Sequence, residues 1–190
     1  MKVIAINGSS RLNGNTMILI NEIFKQLNQA GIETELIPLA NKKINPCRAC
    51  FNCHQKPNCI FDNDDFNEIF DKMKTADGII LASPVYTGNM SAALQALLER
   101  ASVVLDMNRK LCLFKHKAGC AISVAFRSGA LNVVDNINHF FLLQEMFIVG
   151  GSYFPIAYGQ LPGEVTQDKQ GLATMQSLGT NLADLLQALN

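Results

Sequence analysis

The chain has 190 residues, 48% of them apolar, and its 16 acidic side chains balance 16 basic ones. That length suits one good-sized core, and the charge balance argues against a nucleic-acid binder, which would carry a basic excess. The opening apolar run "KVIAI" is cut off by Asn7-Gly8 and no uninterrupted stretch of about 18 apolar residues follows, so no leader, no membrane span and a reducing cytoplasmic setting are expected.

"KVIAI" (2–6) reads as a short strand. Met17, Ile20, Ile23, Phe24 and Leu27 then recur at three- and four-residue steps, which predicts a helix that stops near Gly31. "IETELIPL" (32–39) alternates as a second strand. Pro, Asn and Cys crowd the segment at about 43–61 too densely for regular structure. A helix follows, with Asp62, Asp64 or Asp65 as cap and Phe66, Ile69, Phe70 and Met73 as its buried stripe. "GIILASP" (78–84) and "KAGCAISVA" (117–125) are continuous apolar runs, as expected of strands covered on both faces. A long helix ending in "ASVVL" lies between them. Then come a helix over "ALNVVDNINHFFLLQEM", a last strand over "FIVGGSYF" (147–154), a loop in which Thr166 caps, and a closing helix over 169–189.

Strict β-α alternation predicts a three-layer α/β/α fold with a five-stranded parallel sheet. The doubly wound, flavodoxin-like order 2-1-3-4-5 is the natural choice, in one domain over 1–190 with the cysteine segment as an excursion. Ligands of such sheets sit at the carboxyl ends of the strands.

The first of those loops reads Asn7-Gly8-Ser9-Ser10-Arg11-Leu12-Asn13-Gly14-Asn15-Thr16. Its glycines permit tight turns, its short polar side chains and Arg11 donate hydrogen bonds, and the next helix offers its positive end. Asn15 stands where a triphosphate-binding loop needs Lys, and two serines follow Gly8 where a dinucleotide fingerprint needs a second Gly. A terminal monophosphate, as in FMN, fits better. The third loop, "SPVYTGNMS" (83–91), offers Pro84, an aromatic face at Tyr86 and close approach at Gly88. It suits the flank and polar edge of an isoalloxazine.

Four of the six cysteines fall within thirteen residues, as C-x2-C-x2-C-x5-C at Cys47, Cys50, Cys53 and Cys59. This compact spacing can wrap a [4Fe-4S] cluster, with Phe51, Ile60 and Phe61 as shield and Arg48 and Lys56 to offset charge. Zinc is an alternative, although structural zinc usually has two knuckles set further apart. A metal-free motif is another, and disulfides between such close neighbours would be strained. Cys112 and Cys120 adjoin apolar runs and read as inert core thiols. His54 could replace a ligand; His116 and His139 read as ordinary surface positions, and Asp64 and Asp65 as caps rather than acid or base.

Together "GSSRLNGNT", "SPVYTGNMSAALQALLER" and "CRACFNCHQKPNCIFDNDDF" resemble the NAD(P)H-dependent FMN reductase group of flavodoxin-like proteins, and the cysteine spacing resembles its iron–sulfur flavoprotein branch. "SLGTNLADLLQAL" resembles its final helix, which often carries a Leu-Gly pair. The resemblance implies that Ser9, Arg11, Asn13, Asn15 and Thr16 hold the FMN phosphate, and that Pro84, Val85, Tyr86, Thr87 and Gly88 line the isoalloxazine. It implies a [4Fe-4S] cluster on Cys47, Cys50, Cys53 and Cys59, and a homodimer or homotetramer with FMN near the interface. After the fourth strand Phe126 and Arg127 depart from the group's glycine-rich turn.

The expected activity is that of an FMN-dependent oxidoreductase or electron-transfer flavoprotein, with no catalytic base because FMN carries the chemistry. A ferredoxin-type partner suits the cluster version. NAD(P)H suits a cluster-free reductase of flavins, quinones or other small molecules. A non-enzymatic carrier, a redox sensor and a zinc-stabilised binding module are the competing classes.

Overall fold

The structure is a computed structural model and describes residues 1–189. Its strands are β1 (Lys2–Asn7), β2 (Glu33–Pro38), β3 (Gly78–Pro84), β4 (Ala118–Ala125), β5 (Phe147–Ile148) and β6 (Ile156–Tyr158). Its helices are α1 (Asn15–Gln29), α2 (Phe66–Thr75), α3 (Ala92–Met107), α4 (Ala130–Leu143) and α5 (Lys169–Leu189). The parallel sheet runs β2-β1-β3-β4-β5, the doubly wound order expected from the alternation of elements, and a sixth strand, β6, pairs with β4 off this path.

The period of two along each strand sorts the core. Ile4, Ile6, Ile79 and Leu81 join α2, α3 and α4 on one face, around Phe66, Phe70, Phe114 and Phe141. Val3, Ala5, Ile80, Ala82 and Ile122 join α1 and α5 on the other. Helices on both faces are why β3 and β4 must be apolar without interruption. Each fully buried Ile or Leu contributes about 1.5–3 kcal/mol relative to an exposed one.

α1 buries Leu19, Ile20, Ile23 and Leu27, whereas Met17 and Phe24 are only half-buried. Gly31 ends it at φ +74°, with Gly31 N–H donating to Asn28 O and Ile32 N–H to Leu27 O, the paired bonds of a Schellman motif. α5 lies against α1 through Gly179, where a Cβ would come within 2.9 Å of the Ile23 carbonyl oxygen and of Gln26 Cβ. A backbone oxygen cannot swing aside as a side chain can. Gly179→Ala is therefore expected to cost about 1–3 kcal/mol of stability, or roughly 5 °C in thermal midpoint. An unchanged melting curve would show that the helices do not meet there.

Three expectations are corrected. Of the last strand expected over 147–154 only Phe147–Ile148 is strand, and a sixth strand lies beyond that span at Ile156–Tyr158. β5 pairs with Ala118 and Gly119 at the start of β4, and β6 pairs with Ser123, Val124 and Ala125 at its end. Between them the chain detours at Gly150-Gly151, where Asn181 of α5 takes the Gly150 carbonyl and α5 backbone lies 2.8 Å from where a Gly151 Cβ would be. The cap of α5 is Asp168, which accepts from Gly171 N at 2.9 Å; Thr166 instead donates to Gly163 O. At α2, Asp65 occupies the cap position, yet its carboxylate takes the Lys43 N–H and pairs with Lys42, and Asp64 accepts the Phe66 N–H. Among the described residues no helix is long and apolar enough to cross a membrane.

Candidate functional site

The carboxyl ends of β1, β3, β4 and β6 converge on one pocket. Asn7, fully buried at the end of β1, accepts the Ser9 N–H on Oδ1, and Ser9 Oγ accepts the Arg11 N–H. These two nested turns coil the loop. Gly14 gives α1 an extended N-cap without a side chain to fill the space, since a Cβ there would press on Arg11 Cβ at 3.2 Å and Ser9 Oγ at 3.4 Å. α1 has no side-chain cap and no acidic residue in its first turn. The Asn15 and Thr16 N–H groups, and the Thr16 hydroxyl, find no acceptor among the described residues. Such an end attracts an anion.

Asn15 is buried and its side chain is committed across the fold. Nδ2 donates to Leu161 O at 2.9 Å and Oδ1 accepts from Gly163 N at 2.8 Å. What Asn15 offers the pocket is therefore its N–H, while its amide pins the loop after β6 as a wall. Glu164 holds the same loop by accepting from Gln160 N and Leu161 N. Arg11 reaches it too, donating from Nη1 to Gln160 O at 3.2 Å.

The loop after β3 is a hairpin in which Tyr86 and Asn89 exchange both backbone hydrogen bonds. Thr87 (φ +49°) and Gly88 (φ +75°) occupy the left-handed region that a two-residue turn of this hand requires. A β-branched Thr is costly there, so the surroundings must enforce it. They do: Asn132 of α4 donates to Gly88 O, Asn136 to Asn89 Oδ1, and Tyr86 OH shares a 2.9 Å hydrogen bond with Ser10 Oγ. Among the described residues the Thr87 and Gly88 N–H groups have no acceptor.

The pocket is lined by Ser9, Arg11, Gly14, Asn15, Thr16, Pro84, Val85 and Tyr86, with Val124, Phe126, Gly159 and Gln160 added. Asn13, Thr87 and Gly88 are exposed and do not line it. Gly159 and Gln160 escaped the sequence reading because β6 did; with that strand unread, nothing placed its loop at the carboxyl edge, whereas Val124 lies in β4, a strand that was read but not counted as lining. Phe126 was legible only as a departure from a glycine-rich turn. The residues fit FMN: polar and cationic donors with an open helix end lie on one side, and the apolar Pro84, Val85, Val124 and Phe126 on the other.

The cysteine excursion is tied down by a buried ion pair. Arg100 on α3 bonds Asp64 at 2.5 Å, with side-chain exposures of 4% and 0%. The guanidinium also donates to Asn45 O and Phe61 O, at either end of the excursion, and stacks 4.1 Å over the Phe66 ring. Burial works against the Asp64 charge, but the Asn45 N–H, Arg100 and the Phe66 N–H outweigh it and hold the carboxyl below its usual range.

All four cysteines line a second pocket, with Ile60, Phe61, Val103 and Val104 as apolar walls. Arg48 stacks 4.7 Å from the Phe61 ring centre and Lys56 is exposed. Burial pushes the Cys53 thiol up; its own backbone N–H works against this, and the nearness of Cys59, Cys47 and Cys50 adds to it. None of the cysteines forms a disulfide. Among the described residues no group of three or more His, Cys, Asp or Glu is gathered closely enough to hold a metal ion. Soft thiols sharing one apolar-walled pocket nevertheless suit a thiolate-held group by donor chemistry. His54 is exposed, with Nδ1 2.8 Å from Phe51 O. One further correction concerns Cys112, which is exposed after α3, whereas Cys120 is fully buried in β4 and burial pushes its thiol up to about 12.

Residues 1–160 match the family model for NADPH-dependent FMN reductases. The chain is 40% identical to an iron-sulfur flavoprotein of Methanocaldococcus jannaschii, covering 100% of this chain and 99% of that one. It is 34% identical to an iron-sulfur flavoprotein of Methanosarcina thermophila, covering 100% and 97%. Among solved structures it is similar to a flavone reductase, at TM-score 0.77 and 18% identity over 100% of this chain and 64% of that protein. A WrbA-like flavodoxin of Agrobacterium tumefaciens is similar at TM-score 0.65 and 14% identity, over 100% and 98%. Identities this low show a shared fold.

Proposed function

Because the chain belongs to the NADPH-dependent FMN reductase family, a family of flavin-dependent oxidoreductases, we propose that its carboxyl-edge pocket holds FMN and its excursion carries a [4Fe-4S] cluster on Cys47, Cys50, Cys53 and Cys59. FMN supplies hydride and single-electron chemistry when bound, and a cluster supplies single-electron chemistry.

The protein's part is placement. Arg11, the Thr16 hydroxyl and the Asn15 and Thr16 N–H groups bind the phosphate, with Ser9 shaping the turn. Asn15 acts a second time by fixing the wall at Leu161 and Gly163. Asn13 stands at the rim. Pro84, Val85, Tyr86, Val124 and Phe126 would flank the ring system, while Thr87 and Gly88 stand outside the lining, next to Tyr86. One observation carries the reading: an uncapped helix end with Arg11 and an apolar wall share one pocket, at the sheet edge where such folds bind ligands.

The cluster reading is supported by four thiols in one pocket and by the relatives' names. In this proposal the electron donor is a ferredoxin-type protein or NAD(P)H, the acceptor is a small molecule, and the setting is cytoplasmic. A homodimer or homotetramer belongs to it, supported by the exposed Phe126, Tyr153, Phe154, Tyr158 and Leu161 in and after β4 and around β6.

Anaerobic absorption spectra with iron and sulfide assays test both parts. Flavin bands over a broad charge-transfer absorption, with iron and sulfide near four each per chain, are expected for a full cluster. Flavin without iron would remove the cluster and keep the reductase. A chain that stays colourless after mixing with FMN would remove both.

A further inference from the structure

The loop after β4 runs Phe126-Arg127-Ser128-Gly129 and is fixed at both ends. Just before it, Val124 O accepts the Val85 N–H at 3.0 Å and Ala125 O accepts the Gly159 N–H at 2.9 Å. At its far end Gly129 (φ +89°) lies against the hairpin, where a Cβ would come within 3.1 Å of Val85 Cγ1 and 3.4 Å of Gly88 Cα. Phe126 lines the carboxyl-edge pocket, yet its surface is 66% exposed. Arg127 is exposed as well, and it is bracketed by two residues that touch the pocket or its wall. The charge of Arg127 is uncommitted. The other arginines are each engaged: Arg11 with Gln160 O, Arg48 over Phe61, Arg100 with Asp64 and Arg109 with Asp106. Among the described residues Arg127 makes no hydrogen bond, ion pair or ring contact. No Asp or Glu lines the pocket, and α4 has no acidic residue in its first turn. An exposed cation beside an exposed phenyl ring, with no carboxylate to neutralise it, favours an anionic group carried on a flat molecule.

We propose that Phe126 and Arg127 form the binding point for the small-molecule electron acceptor, and that this acceptor is a planar aromatic molecule carrying a fixed negative charge. The inference rests on the FMN reading and goes beyond it by naming the class of acceptor; it needs neither the cluster nor the assembly. Phe126 offers its ring to the flat body of the ligand, and Arg127 offers its planar fork to the anionic group. Arg11 cannot do the same, because in the FMN reading it is occupied by the phosphate. Arg127 is accordingly a specificity residue, and its loss should cost affinity for charged acceptors alone.

Binding to the oxidised, FMN-loaded full chain tests this without turnover, because two oxidised partners exchange no electrons. Anthraquinone sulfonate and its neutral sulfonamide analogue are titrated by calorimetry at low ionic strength in saturating FMN. The native chain should bind the sulfonate about tenfold more tightly, as expected of one charge-assisted contact. That preference should shrink as salt is raised. Arg127→Gln should bring the two probes within about twofold of each other while leaving sulfonamide affinity and FMN content unchanged. Phe126→Ala should weaken both probes by about five- to tenfold, since it removes the aromatic contact and keeps the charge. Equal affinity of the native chain for the two probes, an undiminished preference in Arg127→Gln, or native affinities in Phe126→Ala would overturn the inference and leave FMN binding standing. A native chain that retains no FMN would overturn both.

Discussion

Arg100→Leu is expected to lower the thermal midpoint by about 10 °C, the largest stability loss foreseen for a single substitution outside the apolar core. Breaking a buried ion pair from one side costs about 3–5 kcal/mol, because the remaining charge keeps its burial and loses its partner. At this chain length each kcal/mol moves the midpoint by roughly 2–4 °C. Asp64 would keep the Asn45 N–H, the Asn45 amide and the Phe66 N–H, but no cation. The excursion would lose the donors that close it at Asn45 O and Phe61 O. Trypsin should then cut after Arg48 well below the new midpoint, whereas the unsubstituted chain resists.

The pH dependence follows from the sign of the Asp64 shift. Its carboxyl is held below the ordinary value of 3.8 despite burial. A depressed carboxylate stabilises the fold above its unfolded pKa, and that contribution is lost as pH falls through the folded value. The native chain should therefore lose stability below about pH 4, and Arg100→Leu should flatten this acid limb. A melting curve and acid limb identical to those of the native chain would show that the pair holds nothing.

Arg11→Ala is expected to weaken FMN binding by about ten- to a hundredfold, read as quenching of flavin fluorescence on titration of apoprotein. A charge-assisted hydrogen bond contributes about 1.5–3 kcal/mol, and each 1.4 kcal/mol is a factor of ten. The same substitution removes the bond to Gln160 O, which joins the first loop to the wall after β6. Arg11→Lys should fall between, since it keeps the charge and loses the planar fork. Asn13→Ala should change affinity less than about twofold, because Asn13 is exposed and outside the lining, and such surface changes are usually small. Equal affinity for the Arg11→Ala and native chains would take the phosphate away from this loop.

Periodicity and local chemistry were enough for most of the fold. Alternating elements led to the sheet order, because a parallel strand pair needs a crossover and a helix is the short way to make one. The apolar runs "GIILASP" and "KAGCAISVA" announced their own burial on two faces, and Gly31 its left-handed turn. The first loop was legible because its glycines, serines and Arg11 lie within a few residues of one another. The same holds for the cysteines, whose spacing is a local property.

β6, by contrast, is three residues long, too short for a period, and exists because β4 has an open edge there and α5 draws Gly150-Gly151 away. Cys112 and Cys120 have similar apolar flanks, yet one ends a surface turn and the other sits inside the sheet.

The residues alone determined the five helices, the strands β1 to β4, most buried faces and which loops carry donors, since each follows from neighbours within one or two turns of chain. Only the tertiary structure decided that Asn15 is committed to a wall 146 residues away, and that Arg100 buckles the thiol segment through Asp64, 36 positions distant. The physical reason is that a hydrogen bond depends on distance and direction in space, and a linear pattern carries neither once the chain has crossed the sheet.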